Sequence, residues 1–233
     1  MIQDGGWGES NVGVGKIRRT VMGWINRALF SSIGKKQLMA LTGLCFCAFL
    51  TFHLIGNVTL YGGESTFNAY SEALHSLGVL ITMTEWGLLI LAAIHIFFGA
   101  LLFFQNLMAR PVRYVMKKRA GGRTWSSALM PYTGLYLIVF IVIHLVTFHF
   151  ADRAGQTVSQ LVFRVFSNPA YLVYYVISVV VAALHVRHGF WSAFQSLGLD
   201  HPKYMSLIQG IGLLLSLAVG IGFASIPLFF VAG

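Results

Sequence analysis

Eight histidines are the side chains of this 233-residue chain best suited to chemistry, and four of them recur with a shared spacing. His53 and His144 each lie fourteen residues after a methionine that opens the same pattern: Met39-x-x-Thr42-Gly43-Leu44 in one case, Met130-x-x-Thr133-Gly134-Leu135 in the other. His95 and His185 each open a second pattern, His95-x-x-x-Gly99 followed by Phe104-Gln105-x-Leu107, and His185-x-x-x-Gly189 followed by Phe194-Gln195-x-Leu197. The ligand candidates are 91 residues apart in the first pattern and 90 in the second. Two unrelated patterns displaced by nearly the same interval indicate a duplicated helix hairpin. A polar imidazole in an apolar helix is costly and marks function, and two imidazoles facing one another at equal depth suit six-coordinate haem iron. The spacing therefore predicts two bis-histidine haem sites, one held by His53 with His144 and one by His95 with His185. No CxxCH occurs, so each haem is expected without thioether links.

The elements that must position these residues are membrane helices. Apolar residues make up 57% of the chain and charged ones 10%, with a mean hydropathy of +0.74, whereas about a quarter of a soluble protein is charged. A helix crossing about 30 Å of hydrocarbon needs about 20 apolar residues, and five stretches qualify: 37–61, 82–107, 129–150, 169–196 and 204–231. The fold expected is an all-α integral membrane bundle in which the first four helices bind haem and the fifth is added. Residues 1–36 read as a basic interfacial arm, with no short apolar region of the kind a secretory signal carries. The net charge of +9 arises from Lys and Arg beside helix ends: Lys16, Arg18, Arg19, Arg27, Lys35 and Lys36 before the first span, and Arg110, Arg113, Lys117, Lys118, Arg119 and Arg123 between the second and third. That placement argues against a nucleic-acid groove and, by the positive-inside rule, puts the N-terminus in the cytoplasm and the C-terminus outside. Parallel repeats then share depth, with His53 and His144 in an outer layer and His95 and His185 in an inner one.

Other residues carry weaker signals. Gly99 and Gly189 lie one turn after His95 and His185 on the same face, where a missing side chain would admit a porphyrin edge or allow close helix packing. Arg187, a cation within the fourth span, calls for a buried partner, with a haem propionate the first choice. His188 follows His185 by three residues and is a second propionate candidate. His149 is rotated about 140° from His144 and is a poor ligand. His75 and His201 read as surface residues, Glu85 beside Trp86 as an interfacial carboxylate or a proton-handling group near a quinone, and Gly13-Val14-Gly15-Lys16 as flexible arm, lacking the strand a phosphate loop requires. Cys45 and Cys47, two apart on one helix, cannot form a local disulfide or ligate an iron–sulfur cluster.

Over about 31–203 the chain resembles the cytochrome b subunit of succinate:quinone oxidoreductases in its five-helix, two-haem, single-anchor form. The likeness is carried by Ser31-Ser32-Ile33-Gly34-Lys35-Lys36, Met39-Ala40-Leu41-Thr42-Gly43-Leu44, His53-Leu54-Ile55-Gly56-Asn57, Phe67-Asn68-Ala69-Tyr70, Asn106-Leu107-Met108-Ala109-Arg110-Pro111 and the run from His185 to Gly198. The resemblance implies two b haems on His53, His95, His144 and His185. It also implies a flavoprotein and an iron–sulfur subunit docked on the cytoplasmic face of a bacterial inner membrane, and electron transfer to a membrane quinone, often menaquinone. Fumarate reductases use the same parts in reverse. Two alternatives are a haem-bearing anchor of another quinone-linked enzyme and a proton-coupled transporter using its histidines without a cofactor.

Overall fold

The computed structural model describes residues 23, 27, 29–109, 125–153 and 155–232. The basic loop at 110–123, most of the N-terminal arm and the Gly13–Lys16 run lie outside the described residues.

Among the described residues the chain is helical, with seven α-helices and no strand. Five helices are long and apolar enough to cross a membrane. These are α1 (Ser32–Val58, continued by a 3-10 turn Thr59–Gly62), α3 (Val79–Met108), α4 (Trp125–His144, continued by a π turn Leu145–His149), α6 (Pro169–Ser196) and α7 (Pro202–Ala232). Two short helices, α2 (Glu64–His75) and α5 (Val158–Phe166), lie in the connections after α1 and before α6. Hydropathy alone does not reveal them, because each is too short to span.

Local chemistry sets the ends. Ser31 accepts from the amide of Gly34 at 2.9 Å, so α1 begins at Ser32, five residues before the apolar stretch that starts at 37 and inside the segment read as an arm. Asn168 accepts from the amide of Ala170 and Pro169 occupies the first helical position, which starts α6. Thr157 and Gln160 form a reciprocal capping box on α5.

The spans pack as α1 on α3, α4 on α6 and α1 on α6, while α3 and α4 barely touch; α7 lies along α6 and also reaches α1. Small residues bring α7 in close. A Cβ on Gly220 would stand 3.1 Å from that of Ala183, and one on Gly222 would stand 2.8 Å from Leu54. The opposite faces present large apolar side chains such as Phe52, Trp86, Ile90, Tyr132 and Leu214 to the surroundings, as lipid contact requires. The two short helices close one end of the bundle, here termed the short-helix end. Leu60, Phe67, Val162, Phe166, Tyr175 and Ile226 are buried together there. The Phe67-Asn68-Ala69-Tyr70 motif does part of this work. A Cβ on Gly56 would collide with the Tyr70 phenol, and Asn68 accepts from the amide of Ser159 at 3.2 Å. At the other end, the Ser32 end, Lys35 is only 6% exposed and donates to Gln105 of α3 at 2.7 Å.

Candidate haem site

The Met-x-x-Thr-Gly patterns meet the histidines of the next span. Thr42 Oγ1 on α1 lies 3.0 Å from His95 Nδ1 on α3, and Thr133 Oγ1 on α4 lies 3.0 Å from His185 Nδ1 on α6. The glycine after each threonine makes room for the ring. A Cβ at Gly43 would stand 3.3 Å from His95 Cε1, and one at Gly134 would stand 3.5 Å from His185 Cε1. The repeat read from the sequence is thus also a repeat of contacts, with matching distances in each hairpin.

The donors can be counted. Thr42 donates to the carbonyl of Leu38 at 2.8 Å, with Met39 O at 3.1 Å; Thr133 lies 3.2 Å from Leu129 O and 3.1 Å from Met130 O. A hydroxyl has one hydrogen and carbonyls only accept. With that hydrogen directed at the helix backbone, each threonine accepts from Nδ1–H of its histidine, and Nε2 is left as the lone-pair nitrogen.

The other two histidines meet directly. The rings of His53 and His144 have centroids 6.0 Å apart and planes at 90°. Two imidazoles sharing one metal at about 2 Å per nitrogen place their ring centres about 6 Å apart, so the spacing fits common ligation. Their support is aromatic: Phe49 stacks on His53 at 5.2 Å and 18°, and Phe223 of α7 sits at 5.5 Å from it. Phe140, Phe148 and Tyr175 lie 5.8, 5.4 and 6.0 Å from His144. His144 Nδ1 is buried without a hydrogen-bond partner. The helix changes character just after it, where Phe150 N bonds Leu145 O at 2.8 Å in a π turn, a local widening often found at functional positions.

The donor set fits haem better than a mononuclear metal ion. Among the described residues no three His, Cys, Asp or Glu side chains gather as ligands. Two imidazoles per site suffice only where the cofactor brings its own equatorial nitrogens.

The remaining candidates divide. His188 is 7% exposed, packs edge-on against Trp191 at 5.0 Å and leaves its Nδ1 without a partner, an arrangement open to a buried acceptor such as a propionate. Arg187 is exposed and has no hydrogen bond or ion pair to a described residue, so the buried partner expected for it is not among the side chains around it. At Gly99 and Gly189 the nearest atoms to an added Cβ are Met39 Sδ at 3.8 Å and Met130 Cε at 3.9 Å. Those are ordinary contacts, so the space foreseen for a porphyrin edge is bordered by the methionine of the same repeat. His149 lies 3.8 Å from Glu85 at a half-exposed position, across the thin α3–α4 contact. His75 bonds the Ser71 carbonyl at 2.7 Å, and His201 accepts from the amide of Lys203 at 3.2 Å near the start of α7. Cys45 is exposed, Cys47 is buried, and both are free. Sequence reasoning used Thr42 and Thr133 only as markers of duplication. Their nearly equal offsets from His95 and His185, 53 and 52 residues, were the available signal of a shared role.

Comparison with known proteins gives one relative. The chain is similar to the succinate dehydrogenase cytochrome b558 subunit of Bacillus subtilis, 24% identical over 149 residues, covering 62% of this chain and 69% of that protein. No protein-family model matches the chain. No solved structure matches it either.

Proposed function

We propose that this chain is the dihaem cytochrome b anchor of a bacterial succinate dehydrogenase, relaying electrons from an iron–sulfur partner to a membrane quinone, with menaquinone the expected class. The observation that carries the reading is the pairing of four membrane histidines: two spaced for a common metal, two held alike by threonines. The likeness to a succinate dehydrogenase cytochrome b558 subunit supports the same assignment.

Each haem, when bound, supplies a one-electron ferric/ferrous couple. The chain's own residues do the rest. His53 and His144 would hold one iron and His95 and His185 the other, and two imidazoles at each would keep it low-spin and closed to exogenous ligands. The aromatic side chains about His53 and His144 exclude water from that layer and lower its dielectric. His188, buried with a free ring nitrogen, is placed to hold a propionate near the other pair. Neither cysteine can ligate a cluster, so electrons must arrive from a partner, and the basic Ser32 end is the docking face for the flavoprotein and iron–sulfur subunits on the cytoplasmic side.

The test is succinate-linked reduction of the purified complex. Addition of succinate should reduce b-type haem in a preparation that retains both soluble subunits. Haem that responds to quinol but never to succinate would assign the chain to another quinone-linked enzyme, and a preparation without b haem would leave the transporter reading.

A further inference from the structure

Among the described residues, hydroxyl support reaches the His95–His185 pair and not the His53–His144 pair. With each threonine hydrogen directed at a helix carbonyl one turn back, each histidine of that pair donates Nδ1–H to its threonine. A donated Nδ1–H fixes the tautomer with Nε2 as ligand and increases the electron density that Nε2 offers a metal. A greater push from both axial nitrogens stabilises the ferric state. His53 receives no ring hydrogen bond among the described residues, and His144 Nδ1 has no partner.

We infer that Thr42 and Thr133 are positioning residues that fix the tautomer of His95 and His185 and lower the reduction potential of the haem those histidines hold, relative to what imidazoles without that support would give. The inference rests on the proposed function, since it needs haem between those rings. It extends that function by naming residues that set the driving force of one electron-transfer step. The duplication supplies the internal control, because the same Thr–Gly–His geometry occurs in both hairpins at the same distance.

The experiment is a potentiometric titration of both haems in the intact three-subunit complex, with low-temperature EPR of the ferric forms, for Thr42→Val, Thr133→Val, Thr42→Ser and Thr133→Ser. Valine keeps the shape and removes the acceptor; serine keeps the acceptor. The valine variants should raise the potential of one haem only, the one lost in His95→Ala and His185→Ala, and should move its low-spin g values while the other haem keeps its own. The serine variants should resemble the parent. Retention of that haem during purification should fall in the valine variants, in the direction of the 10–100-fold loss of metal affinity usual for removed outer partners. Thr42→Ala and Thr133→Ala are prepared alongside, so that a packing failure of valine does not decide the result. Unchanged potentials in a complex that still carries two haems would overturn the inference and leave the proposed function standing, as would equal shifts in both haems or a serine variant that behaves like valine. A parent complex without b haem would overturn both.

Discussion

The two histidine pairs sit in the same bundle and are supported in different ways. Around His95 and His185 the two halves of the chain still match: threonine and glycine from one helix of each hairpin meet the histidine of the next at nearly equal distances, and the methionine of that helix borders the glycine one turn after it. Around His53 and His144 the halves match only in part. Phe49 and Phe140 each pack on the histidine four residues later, but Phe223 flanks only the first ring, Phe148 and Tyr175 only the second, and a π turn follows His144 but not His53. The divergence has identifiable sources. Phe223 comes from α7, which has no counterpart in the repeat, and Tyr175 belongs to the buried cluster that the short helices complete. A duplicated site keeps its symmetry where only the duplicated helices build it, and loses it where added elements contribute.

The largest effects should come from the ligands themselves. His95→Ala and His185→Ala should abolish or convert to high spin the same spectral component, and His53→Ala and His144→Ala the other, because each leaves one iron without an axial imidazole. Optical spectra of the four variants check this. Shared loss between His53→Ala and His95→Ala would mean that ligands come from neighbouring antiparallel helices.

Next is the packing at the short-helix end. Gly56→Ala places a Cβ against the Tyr70 phenol and should destabilise the protein by about 1–3 kcal/mol, the usual cost of overpacking. Thermal unfolding in detergent should show the loss, and Gly56→Ala/Tyr70→Ala should recover part of it. If the layers are independent, the haem of His95 and His185 should keep its spectrum throughout.

At the Ser32 end, Gln105→Leu removes the acceptor from a buried ammonium and should cost about 1.5–3 kcal/mol. The double variant Lys35→Met/Gln105→Leu should be more stable than Gln105→Leu alone, since it also removes the orphaned charge. Equal stabilities would show that Lys35 finds another partner.

The smallest effect belongs to His149 and Glu85. Their half-exposed pair at 3.8 Å is worth less than about 1 kcal/mol. Glu85→Gln should leave the haem spectra unchanged, and His144→Ala/His149→Ala should match His144→Ala alone. A double variant that lost more haem than the single one would give His149 a ligand's role.

Much of this was legible in the chain itself. The five spans follow from hydropathy, and the pairing of His53 with His144 follows from equal spacing within a parallel repeat. What escaped depended on side-chain direction across a helix interface. Thr42 and Thr133 stand on one face of their helices, and which neighbour that face meets is decided by tertiary packing. The exposure of Arg187 escaped for the same reason, since a cation two residues after His185 and next to the buried His188 can point to either side of α6. The short helices α2 and α5 were missed because their signal is capping and amphipathic pattern rather than length. The start of α1 was placed late because Ser31 caps a polar first turn that hydropathy does not register.

On the proposed function this single chain holds two haems, one per histidine pair. A pyridine haemochrome assay against quantitative amino-acid analysis of the purified complex measures it directly. Two b haems per copy of the chain, both low-spin by EPR, are expected. One haem per chain, or two of which one is high-spin in the unmodified protein, would contradict it.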